Sequence, residues 1–304
     1  MRRFRRFVVF GASVLLLIGT AACGGSPRTQ TQSTASPPPQ IADEKTPFPL
    51  LEFDPSAFDS RSHIVDNKWF PYEPGIRTEH EGSAIEDEGE RVSHRIVLVV
   101  TDMTKVIQGV RARMAWERDY DGENRLAESE LVFFAQDKEG NVWHLGQYRE
   151  TYDSDGEFVG GRAWLVGLFE GTKAGIYMKG NPIPGEKSHS QGYAPPPFGW
   201  DDRARVYKVG QKTCVKTGCY EDVLVMDEFE PTKPGAHQLK FYAPGIGGVR
   251  VGWAGENEDE REEVELVNRF KISPDDFEKN RAEWMQLEQR AYDYSRTTPA
   301  ERGY

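Results

Sequence analysis

Short runs of β-branched and aromatic residues, bounded by Gly, Asp, Asn and Pro, dominate the chain from Arg91 to Val251 and predict strands joined by tight turns. The runs fall at 95–101, 110–118, 126–135, 142–148, 220–229, 237–243 and 249–253. In the second of them Val110, Ala112, Met114 and Trp116 alternate with Arg111, Arg113 and Glu117, so one face is expected to be apolar and the other wet. No run alternates with a long helical pattern, which argues against a doubly wound parallel sheet. Leu131, Phe133, Phe134, Ala135 and Gly140 recur 108 residues later as Leu239, Phe241, Tyr242, Ala243 and Gly248. Either one meander is used twice, or two aromatic strand–turn–strand units look alike. A single helix is predicted over 273–296. Ser273 supplies its N-cap, Pro274 its first turn and Asp275 and Asp276 the acids at the positive dipole end, while Phe277, Trp284, Leu287 and Ala291 make an apolar stripe. Tyr292, Tyr294 and the tail 297–304 are expected to fray. The fold class is therefore mainly β: antiparallel meanders forming a curved sheet, half-barrel or sandwich, with one C-terminal amphipathic helix.

The amino terminus follows another pattern. Arg2, Arg3, Arg5 and Arg6 precede an apolar run from Phe7 to Ile18 that is too short to cross a bilayer as a mature helix, and residues 1–22 read as a signal peptide. The run ends in Gly19-Thr20-Ala21-Ala22-Cys23-Gly24-Gly25, which resembles the lipobox of bacterial lipoproteins, with Thr20 where Leu is commonest. The resemblance implies cleavage before Cys23 and a diacylglyceryl group on its thiol. An ordinary secreted protein cut elsewhere, or an uncleaved anchor, is the competing reading. The stretch Arg5-Arg6-Phe7-Val8-Val9 lacks the spacing of a twin-arginine export signal. Residues 24–48, with Pro37-Pro38-Pro39, have almost nothing to bury before Phe48, so 23–48 reads as a lipidated cysteine and a tether with an r.m.s. reach of roughly 25–30 Å.

A chain of 304 residues with 38% hydrophobic and 12% aromatic content can bury a proper core, expected as a single β-rich domain over 49–272 carrying the helix. Acidic residues outnumber basic ones 49 to 38, and losing residues 1–22, with four arginines and no acid, takes the formal charge from −11 to −15. That balance argues against nucleic acid as a partner. Anionic headgroups would repel such a surface, so the membrane partner is expected to be reached through acyl chains on Cys23.

If Cys23 is lipidated, Cys214 and Cys219 are left as an even pair. A hairpin across Thr217-Gly218 would make them cross-strand neighbours about 5.5 Å apart at Cα, within disulfide reach, and an exported protein would oxidise them. A zinc half-site is the alternative, but no second Cys or His pair lies near.

Three ordered stretches carry a wider resemblance. Asp54–Phe58 with Ile64–Gly75 (IVDNKWFPYEPG), the block Ala135–Trp143 (AQDKEGNVW) and Lys240–Val249 (KFYAPGIGGV) are similar to a family of uncharacterised bacterial secreted proteins and lipoproteins with NPYFPLxPG, AQDxxGNVWYFGE and KxYAPGVGxV motifs. The likeness covers about residues 54–270 and implies organisation alone, no activity. Where that family commonly has Tyr and Glu, this chain has His144 and Gln147, and its QEY appears as Gln191-Gly192-Tyr193, followed by Pro195 to Pro197.

Candidate chemistry is sparse. Asp119–Glu123 and Asp153–Glu157 share a D-x-D-G-E spacing that clusters carboxylates as a Ca²⁺ loop does, but the pattern suits hairpin turns and lacks a distal ligand. His63, His80, His94, His144, His189 and His237 include no HxH or HExxH, so no metal site is written locally. His144, beside Trp143, is expected to be a core strand residue. His189, near Asp201 and Asp202 in the irregular stretch 181–203, allows a triad to be drawn, without a G-x-S-x-G elbow. The acid runs Glu86–Glu90 and Glu256–Glu265 are expected to be solvated hairpin ends. No nucleotide or other cofactor motif is present.

The leading functional expectation is a membrane-anchored cell-envelope lipoprotein with a non-catalytic binding or scaffold role and an unnamed ligand. The alternatives are an envelope hydrolase built on His189, Asp201 and Asp202, or a carrier enclosing a lipid or another hydrophobic molecule.

Overall fold

Gln108 and Gly109 both adopt positive φ, 50° and 80°, and close a two-residue hairpin between Ile107 and Val110 whose twist matches that of its strands. Turns of this economy join most of the chain into one sheet. The computed structural model describes residues 39–303 apart from 46–47, 86–88 and 197. The signal segment, Cys23 and the tether as far as residue 38 lie outside the described residues.

A short hairpin, β1 (Val65–Asn67) with β2 (Phe70–Tyr72), stands apart from a sheet of fifteen strands. These are β3 (Ile76–Ile85), β4 (Arg91–Ile107), β5 (Val110–Tyr120), β6 (Leu126–Gln136), β7 (Val142–Tyr152), β8 (Phe158–Leu165), β9 (Lys173–Met178), β10 (His189–Ser190), β11 (Gly192–Tyr193), β12 (Arg203–Val215), β13 (Gly218–Phe229), β14 (His237–Ala243), β15 (Gly247–Ala254), β16 (Glu263–Lys271) and β17 (Ala300–Arg302). Their order is β10-β12-β13-β14-β15-β16-β3-β4-β5-β6-β7-β9-β11, with β8 on β7 and β17 on β4. Two meanders, β3–β7 and β12–β16, therefore stand side by side through the β16–β3 pair. The echo seen in the sequence falls on β6 and β14, and both carry an irregularity at the same place: the register to the next strand slips between Phe133 and Phe134, and between Phe241 and Tyr242.

The sheet is open, not a closed barrel, but it curls until its two ends meet one short segment. His189–Ser190 adds to the β12 edge, and after Gln191 the chain adds Gly192–Tyr193 to the β9 edge. The curl gives the sheet an outer and an inner face. On the outer face Val99, Met114, Trp116, Leu131, Phe133 and Leu145 pack under the helix α1 (Pro274–Ser295) through Trp284, Leu287 and Ala291. The Ser273 hydroxyl accepts from the Asp276 amide as the expected N-cap. On the inner face Ala115, Val132 and Phe134 of one meander share a cluster with Leu224, Met226 and Tyr242 of the other. Phe70 of the β1–β2 hairpin plugs this end, its ring centroid 5.1 Å from that of Phe134 and 6.4 Å from that of Tyr242.

Several expectations change. The polar face of β5 is not washed by bulk solvent; Arg113 is buried and Glu117 faces the inside of the curl, because alternation distinguishes two faces without saying which way a sheet bends. The tail does not fray: Thr297 is buried, Ala300–Arg302 pairs with β4, and buried Lys105 binds Glu288 of the helix at 2.5 Å and the Thr298 carbonyl. Residues 39–45 and Phe48, read as tether, lie on the body. Glu258 and Glu262, read as solvated, are buried.

Cys214 and Cys219 are disulfide-bonded across the turn between β12 and β13. Their Cα atoms are 3.9 Å apart, closer than expected. They occupy the pair after Val215↔Gly218, where the strands of a two-residue hairpin are not hydrogen-bonded and approach most closely.

Candidate functional site

Period-two alternation aims Glu117 and Asp119 of β5, Glu128 and Glu130 of β6, Gln147 and Arg149 of β7, Glu228 of β13 and Lys240 of β14 into the curl. The register sets Glu117 opposite Glu130, Asp119 opposite Glu128 and Glu130 opposite Arg149. His94 of β4 and Glu262, just before β16, extend the row. Like charges on directly paired positions repel, so this arrangement needs compensation.

Three cations supply it. Arg149 bridges Glu128 and Glu130, each at 3.1 Å. His94 lies between Glu262, at 3.1 Å, and Asp119, in a short contact. Lys240 binds Glu228 at 2.6 Å. Two amides complete the wall, Gln147 donating to Glu130 at 3.3 Å and Gln191 to Glu228 at 2.9 Å. These pairs engage five carboxylates; among the described residues Glu117 has no ion pair, and it feels the like charges of Glu130 and Asp119 and the opposite charge of Lys240.

Burial, reinforced by Glu130 and Asp119, pushes the Glu117 carboxyl up to about 7. Burial likewise raises Glu128 to about 8, against the pull of Arg149 and with Glu130 and Asp119 adding to it. Burial opposes charge on His94, but Asp119 and Glu262 overcome it and hold the imidazole up at about 11. Tyr72, Tyr177 and Tyr242 are buried beside this group; burial raises all three, and the charge of Glu117 adds to the effect at Tyr72 and Tyr177. The Lys240 ammonium stands 5.8 Å from the Tyr177 ring centroid.

Glu117, Asp119, Leu98 and Val206 face inward, yet each keeps part of its surface accessible. Such a wall, with more carboxylates than cations and tyrosines beside them, suits a positively charged guest.

The sequence-derived candidates lie elsewhere. His189 is buried on β10 with Ala204 as its register partner, and burial, with Lys179 and Arg203 nearby, pushes its imidazole down to about 3. Neither of its ring nitrogens bonds to Asp201 or Asp202. The Asp202 carbonyl accepts from Gln191, and the Asp201 charge acts on Arg203. His144 is a core residue as expected, with its ring 4.9 Å from Trp164, 5.1 Å from Phe134 and 5.5 Å from Trp200. Asp121 and Asp153 accept amides of their own turns, as the hairpin reading required. Cys23 lies outside the described residues.

No family model and no curated protein matches the chain. Among solved structures it is similar to a candidate exported protein with a YmcC-like fold from Bacteroides fragilis NCTC 9343, at 14% identity and TM-score 0.36, over 67% of this chain and 99% of that one. A candidate lipoprotein from Parabacteroides distasonis ATCC 8503 gives 11% identity and TM-score 0.35, over 66% and 98%. Among the described residues no helix is long and apolar enough to cross a membrane.

Proposed function

We propose that this protein is a cell-envelope lipoprotein, held at the extracytoplasmic face of the membrane by acyl chains on Cys23, that binds a positively charged ligand inside its curled sheet without transforming it. The signal pattern and Cys23 support the address. The ligand reading rests on Glu117, the inward carboxyl that Arg149, His94 and Lys240 leave without an ion-pair partner among the described residues. A guest cation would relieve that charge and meet tyrosine rings at the same place. The apolar part of the interior is packed: Phe70 stacks on Tyr72 at 4.5 Å and tilts onto Tyr177 at 4.9 Å. The inward residues that keep accessible surface are the Glu117 and Asp119 carboxylates with Leu98 and Val206, and the two carboxylates favour a cation over a lipid. A hydrolase on His189 has little to recommend it, since a neutral imidazole with no carboxylate on its ring is neither activated nor oriented as a base.

Calorimetric titration with spermidine and with tetramethylammonium, each against an uncharged isostere, tests the ligand reading. Binding of at least one cation over its isostere is expected, and Glu117→Gln should weaken it by about tenfold. Equal affinity for charged and uncharged forms, or no cation binding at all, rejects it. Mass spectrometry of membrane fractions tests the address: a diacylated Cys23 at the mature N-terminus is expected, and a free thiol there rules the anchor out.

A further inference from the structure

Residues 189–193 add to both edges of the sheet, and the chain just upstream of the first strand lies across that seam. Contacts of residues 39–45 and 48–53 mark its course. The Pro39 carbonyl accepts from Gly255 at the end of β15, and Ile41 packs with Val225 and Leu239. The Ala42 carbonyl accepts from Arg205 of β12 at 2.7 Å, while Asp43 accepts from the Gly235 amide at 2.9 Å and faces His237 at 3.4 Å. Glu44 then accepts from the amide of Ser188, the residue before β10, at 2.9 Å. Arg203 of β12 completes the join, donating to the Ser188 hydroxyl and carbonyl and to the Pro49 carbonyl, with its guanidinium 5.1 Å from the Phe48 ring centroid. Beyond the seam Glu52 reaches Lys173 of β9 at 3.5 Å, and Phe53 packs edge-on against Trp143 of β7.

We propose that residues 39–45 and 48–53 form a latch on this seam and that ligand enters the interior when the latch lifts. The strands it holds are two residues long, so they have little ladder of their own, and carboxylate-to-amide bonds from the belt are the kind of contact whose loss opens a short element locally. The belt also continues upstream toward Cys23, so the segment that attaches the protein is the one that fastens its door. The gating role rests on the interior-binding reading; the latch itself does not.

Hydrogen exchange on the full mature chain tests the latch with Asp43→Ala/Glu44→Ala, which touches no residue of the interior wall. Amides of 188–193 should exchange about tenfold faster, with 110–135 unchanged. A uniform acceleration would mean that the belt merely stabilises the fold and overturns the latch, as would no change. With spermidine as the probe, the same variant should raise association and dissociation rates together and leave Kd within about twofold. Faster exchange with unchanged rates overturns the gating role while leaving binding in place. If spermidine does not bind at all, the interior reading fails and the exchange result alone decides the latch.

Discussion

Glu117→Gln should stabilise the protein at alkaline pH while weakening its hold on a cation. The folded carboxyl releases its proton near pH 7, against about 4.5 ordinarily, a difference equivalent to roughly 3 kcal/mol. Between these values the folded state holds a proton that the unfolded chain has lost, so rising pH erodes stability through that window and the full cost is present above pH 7. Glutamine cannot ionise, so the variant escapes the cost, and its amide can donate toward the Glu130 carboxylate opposite it. The expected gain is about 1–3 kcal/mol at pH 8, shrinking toward zero near pH 4.5. Urea unfolding followed by tryptophan fluorescence at both pH values measures it. An equal shift at both, or a variant weaker at pH 8, would refute the view that Glu117 is a buried carboxyl without compensation. A variant at once more stable and worse at binding also separates a functional role from mere misfolding.

Three further outcomes are expected. Lys105→Met should cost about 3–5 kcal/mol by leaving buried Glu288 uncompensated, and adding Glu288→Leu should recover most of it, as chemical denaturation of both variants will measure. His94→Gln should flatten the alkaline decline in the urea midpoint. A folded imidazole held up at about 11 contributes stability in full below pH 6.5 and loses it as pH rises through 11. Replacing Cys214 and Cys219 with serine should lower stability by about 1–2 kcal/mol, since the closed loop is short, and the circular dichroism of the sheet should stay as it is.

How much of this was written in the chain depends on the range of the interaction. Strands, turns, the Ser273 cap and the Cys214–Cys219 bridge are set by neighbours within a few residues, and each could be read directly. The charged interior could not. Glu117 and Glu130 are 13 residues apart, and nothing local says that their strands pair with these two side by side on an inward face. Acid runs are ordinarily solvated, so Glu262 looked like a hairpin end until His94, from a strand elsewhere in the sheet, met it. His189 misled for the opposite reason. Its polar neighbours in sequence suggested chemistry, whereas its backbone is a short strand sealing the seam. The one substitution read from the sequence that touched the interior was Gln147, which stands where the resembled family commonly has Glu and donates to the inward Glu130 carboxylate.

The internal echo explains why an interior exists at all. Between Phe133 and Phe134 the partner strand passes from Gly146 to His144, leaving Leu145 unpaired, and between Phe241 and Tyr242 it passes from Arg250 to Gly248, leaving Val249 unpaired. An extra residue on one strand bends and twists it, so each meander turns in the same sense at the same motif. Together with the further register shifts along β4–β5, β5–β6 and β12–β13 and the join through β16 and β3, these bends go with a sheet whose two ends both reach residues 189–193. Phe134 and Tyr242, the residues just past each bend, then meet across Phe70 and fill one end. The polar residues farther along the same faces, Glu130 and Glu128 on one side and Lys240 on the other, are buried and held by ion pairs instead of by ring packing. Straightening one bend should therefore expose the inward carboxylates before it unfolds the protein.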